Sequence, residues 1–351
     1  KKNRFKYKLS DFLIYVLLAT VCDVMPLRYL NRIIAINTLK KFEIRKNIPF
    51  NILFRLHNKK DRLTINDLGY LIGPIINSSG RLGKSILSSE LLMSDDTELV
   101  RKNSEILIKL NNKRKEIEKK IIDEIDFRKI EKENQNVIIY LNKNIKEGLI
   151  GIIASRLKDY FGKPSIVITK SNNIFKGSAR STVDYNIGSL IKTLRDKKII
   201  EKGGGHNLAA GFIIKEKNIS LLDKYIQSDY LNKTSKLIST FKYDEELSNT
   251  AINLDFASEI DKLQPFGNGN QLPIFLFKRL RIIKSNVINK RHINAILKPN
   301  IGPSINSICF NSVNTEIGKY LLSYKKDINL TAQINLNIYN NKKRLQLNIK
   351  D

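Results

Sequence analysis

Gly203-Gly204-Gly205-His206-Asn207-Leu208-Ala209-Ala210-Gly211-Phe212 is the stretch around which the rest of the chain is read. Three consecutive glycines carry no Cβ, so a ligand or a second segment can come close to their backbone, and they can take φ > 0. His206, one of three histidines in the chain, follows at once, and the Ala-Ala-Gly run after it is too small to fill a core by itself. The pattern reads as a ligand-facing loop. The plainer alternative is a glycine turn with a structural histidine.

The 351 residues exceed one ordinary domain and suggest two or three. With 62 Lys+Arg against 34 Asp+Glu, the formal charge of +28 favours a polyanionic partner, nucleic acid first. Lys, Asn and Ile are abundant throughout, so part of that charge is spread over solvated faces. Cys22 and Cys309 stand far apart with no metal-ligand spacing, which fits a reduced, cytoplasmic setting. Lys1 to Lys8 before the apolar run Phe12–Cys22 has the outline of a signal segment. That run is shorter than the ~20 residues a bilayer span needs, so it reads as a buried helix of a chain that begins upstream, with no membrane partner.

Taken in order, residues 10–23 form this helix and end at Asp23, an acid placed either for a site or to cap the next turn. Helical periodicity returns over Leu30–Phe42, and Thr64-Ile65-Asn66-Asp67 is a helix-start signature. Gly73-Pro74-Ile75-Ile76-Asn77-Ser78-Ser79-Gly80-Arg81-Leu82-Gly83 reads as a polar glycine-rich loop that offers backbone N–H groups and a guanidinium to a phosphate. Ser88 to Lys132 is a run of helix formers interrupted near Ser94-Asp95-Asp96, with Leu107, Leu110, Ile117 and Ile121 on one face; it reads as a bridging helix with its charged side solvated. From Glu133 the pattern is α/β, with strands at 137–141, 165–169 and 175–180 and helices at 149–160 and 187–195. Lys146-Glu147-Gly148-Leu149-Ile150-Gly151, Lys176-Gly177-Ser178-Ala179-Arg180-Ser181 and the glycine-histidine stretch then make three candidate phosphate-contacting loops in one domain. A helix over 220–231 and a polar linker, 232–239, close it. Strand-like runs at 273–285, 291–298, 304–310, 327–337 and 343–349 with a helix at 255–263 suit a small closed barrel such as an OB-fold. Pro265-Phe266-Gly267-Asn268-Gly269-Asn270 reads as a tight turn before it.

Together, and in this order, Thr20–Leu27, Gly73–Gly83, Gly148–Leu157, Lys176–Ser181, Gly203–Gly211 and Pro265–Asn270 resemble the RecJ family of single-strand-specific 5′→3′ DNA exonucleases in the DHH phosphoesterase superfamily. The resemblance implies a multidomain α/β chain: a mostly helical remnant of a DHH catalytic domain over 1–87, a long connecting helix over 88–132, an α/β DHH-associated domain over 133–235, and a C-terminal β-barrel (OB-fold) over 236–351. It implies metal-dependent hydrolysis of phosphodiesters to 5′-mononucleotides, with Mn²⁺ or Mg²⁺ in a two-metal site. Asp23 matches the last metal-binding aspartate, and His206 the catalytic histidine near the scissile phosphate. Ser178 and Arg180 match positions that hold a 5′-phosphate, Asn77 and Arg81 contact the strand, and Gly204 and Gly205 belong to the binding loop.

The superfamily's Asp-rich motifs and its Asp-His-His triplet occur nowhere in this sequence, so the chain resembles a C-terminal, substrate-binding portion that is inactive alone. Lys146 stands where the family usually has His, and Ile75 replaces a usual basic residue. Single-stranded DNA is the expected partner of a monomer, with a single-strand-binding protein or helicase beside it. The alternatives are a non-catalytic half of a split enzyme and a small-oligonucleotide phosphodiesterase.

Overall fold

The computed structural model describes residues 8–59, 62–172, 174–234, 241–313, 315–323, 327–339 and 342–351. The basic residues before Lys8 and most of the expected linker, 235–239, lie outside these. In chain order come α1 (Leu13–Cys22), α2 (Tyr29–Lys41), α3 (Ile48–Leu56), α4 (Gly73–Arg81), α5 (Ile86–Met93), α6 (Thr97–Glu124) and α7 (Phe127–Glu133). They are followed by β1 (Ile138–Leu141), α8 (Glu147–Phe161), β2 (Ser165–Ser171), β3 (Ile174–Arg180), α9 (Ile187–Asp196), β4 (Lys202–His206), β5 (Ala209–Ile214) and α10 (Ile219–Thr234). The remainder is β6 (Glu245–Glu246), α11 (Leu254–Asp261), β7 (Phe275–Ile288), β8 (His292–Pro299), β9 (Ile305–Cys309), α12 (Glu316–Ser323), β10 (Asp327–Tyr339) and β11 (Lys342–Ile349). These elements divide into two compact units, Glu43–Arg62 with Gly69–Ile238, and Lys1–Phe42 with Leu63–Leu68 and Ser239–Asp351.

The first unit is built on a five-stranded sheet of order β1-β2-β3-β5-β4, with β1 and β2 parallel and the other neighbours antiparallel. Alternation along the strands divides its two faces. Phe175, Ala179, Ala210, Phe212 and Ile214 face α9 and α10 in one core with Leu190, Ile191, Leu194, Leu222 and Ile226. Within it the Tyr185 hydroxyl donates to Asp229 at 2.7 Å, and burial, then that carboxylate, push the phenol's pKa far up. On the opposite face, Ile138 and Val167 meet Leu149, Ile153, Ala154 and Leu157 of α8, joined by Ile121 from α6. α8 packs over β2 and β3 there, and the strands β5 and β4 lie beyond it.

The glycine-histidine stretch is a β-hairpin and not a loop. Gly203–His206 pair with Ala209–Phe212 in register, and Asn207-Leu208 make the turn. None of the three glycines takes positive φ. What two of them need is room. A Cβ on Gly203 would meet Ile191, Ile200 and Phe212, and one on Gly205 would run into the backbone of Ala209 and Ala210, whereas a Cβ on Gly204 would meet nothing within 4 Å.

Gly73–Arg81 is helical, which corrects the loop reading of this stretch. A π-helical segment, Asp67–Ile72, runs directly into this helix, and Pro74 stands just after the junction. The Ser78 and Ser79 hydroxyls fold back onto the carbonyls of Ile75 and Ile76 at 2.6 and 3.0 Å. Satisfied in this way, both serines are buried, and Ser78 reaches the Leu107 carbonyl of α6. The expected connecting helix over 88–132 breaks where its sequence is interrupted, between α5 and α6, and a second time between α6 and α7. Asp96 caps α6 by accepting from the N–H groups of Glu98 and Leu99, and Asp126 caps α7 by accepting from Lys129.

In the second unit the strands close as β7-β8-β9-β11-β10-β7, with β9 and β11 parallel, around Phe277, Leu280, Leu297, Ala332 and Leu347. This is the expected OB-type barrel. α12, between the third and fourth barrel strands, is an element the strand-centred reading missed. The Pro265–Asn270 turn holds the segment after α1: Leu27 N–H donates to the Asn268 carbonyl at 2.6 Å, and Arg28 Nε to that of Gly269 at 2.7 Å. Gly267 and Asn270 close the turn by exchanging backbone hydrogen bonds.

The hairpin geometry separates two adjacent glycines. Gly205→Ala is expected to lower unfolding stability by about 1–3 kcal/mol through overpacking against a backbone that cannot rotate away, while Gly204→Ala stays within about 0.5 kcal/mol; urea denaturation of the two variants measures both.

Candidate functional site

The open face of the sheet carries the site. Cross-strand register aligns Ser178 with Gly211 and Gly204, Arg180 with Ala209 and His206, and Lys176 with Ile213 and Lys202. Residues directly opposite one another point to the same face, so all three rows look out on the side that α8 overhangs. Together with α4 they line a cavity of about 500 Å³ bounded by Arg81, Glu147, Gly148, Gly151, Lys176, Ser178, Arg180, Lys202 and Gly211, among others. Two glycines at the start of α8 allow the approach. A Cβ on Gly148 would collide with the Arg81 backbone, and one on Gly151 with the Arg180 guanidinium and Ser178 Oγ.

Both arginines are partly buried. Arg81 donates to the Gly148 carbonyl at 3.1 Å; Arg180 donates to Ser178 Oγ at 3.2 Å and to the Ala179 carbonyl at 2.8 Å. Burial, and then Arg114, push the Arg81 pKa down, with Glu118 opposing; burial, and then Arg81, push Arg180 down. Each remains a cation. The charges are therefore gathered against mutual repulsion, and their counter-charge lies behind the cavity on α6. Buried Glu118 accepts from Arg114 at 3.1 Å and from Arg156 at 2.7 Å. Glu147 at the cavity's far end accepts from Lys176 at 2.7 Å and from Ser171 at 3.1 Å, and the lysine holds its carboxyl below the usual range despite burial. Two half-buried guanidiniums, a hydroxyl and a floor of side-chain-free strand make a receptor for a tetrahedral oxyanion.

Of the residues singled out in the sequence, Arg81, Ser178 and Arg180 meet at this cavity. Gly204 lies in the row of Ser178, and His206 is exposed at the hairpin end in the row of Arg180. Gly205 is committed to contacts with β5. Asn77 is exposed on α4, one turn before Arg81, outside the lining. Asp23 belongs to the other unit, where it ends α1 with an exposed side chain. Among the described residues no three His, Cys, Asp or Glu side chains gather where a metal ion could sit, so the donors present do not compose a two-metal site. No helix among them is long and apolar enough to cross a membrane.

Two family models match: the DHHA1 domain over residues 134–230 and the RecJ OB domain over residues 243–351. The chain belongs to the RecJ family. The single-stranded-DNA-specific exonuclease RecJ of Haemophilus influenzae is 30% identical over 342 residues, covering 91% of this chain and 59% of that protein. RecJ of Escherichia coli is 28% identical, covering 92% and 59%. The chain thus spans about three fifths of the length of these curated relatives. The crystal structure of RecJ in complex with Mg²⁺ from Thermus thermophilus superposes with a TM-score of 0.78 at 20% identity, over 98% of this chain and 52% of that one. A second structure of that protein holds Mn²⁺, with a TM-score of 0.77.

Reading for motifs missed Arg114, Glu118 and Lys202. The signal for the first two was present. Leu107, Asn111, Arg114, Glu118 and Ile121 follow one i, i+3/i+4 stripe, so the apolar face of α6 turns polar in its middle where it is still buried. Such a gap marks a buried ionic network. Truncating Glu118→Ala leaves Arg114 without its carboxylate in a half-buried setting, and a loss of about 3 kcal/mol in unfolding stability is expected, as when one partner of a buried pair is removed. Chemical denaturation measures it, and Arg156→Ala, which removes a largely exposed partner, costs far less.

Proposed function

We propose that this chain forms the DHHA1 and OB portion of a single-strand-specific 5′→3′ exonuclease and that its α/β unit grips the 5′-terminal phosphate of the strand. The observation that carries this reading is the pairing of Arg81 and Arg180 over Ser178. Among the described residues the ion pairs of the site involve neither guanidinium, and their hydrogen bonds go to carbonyls and a hydroxyl. A phosphate monoester supplies the negative charge that these groups lack, with oxygens enough for both forks and for the Ser178 hydroxyl. The bare row of Gly211 and Gly204 leaves room for the sugar that follows.

His206, one row along on the same face, is then placed toward the next phosphate, where an imidazole hydrogen bond stabilises charge developing on the scissile group. The closed barrel of the other unit binds the strand in a basic groove. Mn²⁺ or Mg²⁺ would supply a polarised phosphoryl oxygen and an activated water. The carboxylates for them must come largely from outside this chain, with Asp23 as its own contribution, so the isolated chain binds the strand and does not cleave it. Single-stranded DNA is the substrate in this reading, with a single-strand-binding protein or a helicase as an accessory.

Fluorescence anisotropy with 5′-phosphorylated and 5′-hydroxyl oligonucleotides, repeated over a salt series, tests the proposal. Affinity is expected to fall with log salt as phosphate contacts release counterions. The phosphorylated end should bind tighter, and Arg180→Gln should remove about tenfold of that preference, the worth of one charge-assisted contact. Equal affinity of the wild-type chain for both ends would overturn the terminal-phosphate reading.

A further inference from the structure

The cavity does not stop at Ser178. It continues along β3, away from the row of Arg180 and His206, to Lys176, and across the sheet to Lys202, with Ile213 between the two lysines in the register. Lys176 and Ser178 lie two residues apart on one face, roughly 6.6 Å along the strand. That is the reach of two further phosphoryl groups linked in line to a phosphate at Ser178. The backbone of Gly177, Gly203 and Gly211 floors part of this end of the cavity, and the Ile213 side chain stands between the two lysines on the same face. Lys202 is exposed. Lys176 rests on Glu147 at 2.7 Å, an ion pair with both side chains partly open to solvent at 30% and 49%.

We infer that this second cationic pair is a subsite for the outer phosphates of a polyphosphorylated 5′ end, a nucleoside 5′-di- or triphosphate at the head of a strand. The inference rests on the terminal-phosphate reading above, because the inner phosphate is the one held by Arg81, Ser178 and Arg180. With the strand leaving toward His206, only groups attached to the outer side of the terminal phosphate can reach Lys176 and Lys202. The Lys176–Glu147 pair sets the selectivity. A lone phosphate at Ser178 leaves the pair intact, whereas a longer chain draws Lys176 onto its own oxygens and leaves Glu147 to Ser171. Among the described residues Glu147 is the one carboxylate lining the cavity, so it opposes the outer phosphates and its removal helps them.

Isothermal titration calorimetry of the full chain with inorganic orthophosphate and inorganic tripolyphosphate, at physiological salt and without divalent metal, tests this. Tripolyphosphate is expected to bind at least about tenfold tighter than orthophosphate, and Lys202→Gln should erase most of that ratio, one charge-assisted contact being worth about this much. Glu147→Gln should raise the ratio, a direction that loss of a merely structural ion pair would not produce. Lys113→Gln with Lys115→Gln, on the exposed side of α6, controls for general attraction to a basic chain and should leave the ratio alone. A ratio near one, or a ratio that ignores Lys202 and Glu147, overturns the subsite. If orthophosphate itself fails to bind and Arg180→Gln changes nothing for either anion, the terminal-phosphate reading falls instead.

Discussion

The two-residue alternation of β3 is the constraint on which the α/β unit depends. Phe175, Gly177 and Ala179 point into the core beneath α9 and α10, and Lys176, Ser178 and Arg180 point out. A slip of one residue would bury two cations and expose Phe175, so the hydrophobic core and the cationic site fix the same register. Gly177 belongs to this constraint because the Phe212 ring occupies the space a Cβ would need. Packing on one side of the strand thereby sets where Ser178 and Arg180 stand on the other.

Charge is arranged in depth as well. Arg180 and Arg81 line the cavity, Arg114 lies behind Arg81, and Glu118 behind Arg114 accepts from a second helix through Arg156. A carboxylate beside the two arginines would compete there with an anionic ligand. Set back on α6, it offsets the repulsion among the arginines and leaves their outward faces available. Burial weakens screening of these interactions by salt, so the arrangement holds its field where surface charges would be masked.

The architecture was legible where a period or a cap announced it. The α/β alternation, the barrel strands and the Asp96 break are each carried by local pattern, and the order of motifs carried the family. The glycine-rich stretches have the composition of loops and are a hairpin and a helix. In both, small residues answer to a neighbour that the sequence does not place beside them: α9 and β5 against Gly203 and Gly205, α6 against Ser78 and Ser79. For the same reason a motif announces Arg180 and Ser178, while none announces Glu118 or Lys202. Their roles come from register and helix packing over long separations, and each is an ordinary charged residue in its own segment.

The two sheets also end differently. The barrel returns β10 to β7, with the two-residue β6 added beside β7, whereas the five-stranded sheet ends in β1 on one side and in β4 on the other, and among the described residues no strand lies beyond β4. Such an edge invites pairing with any extended peptide. Here it is five residues long, three of them glycines with little inclination to extend a ladder, and it begins at a lysine. The composition that clears space for a ligand thus also guards the chain against self-association: the glycine run is a binding floor on its face and a poor template along its rim.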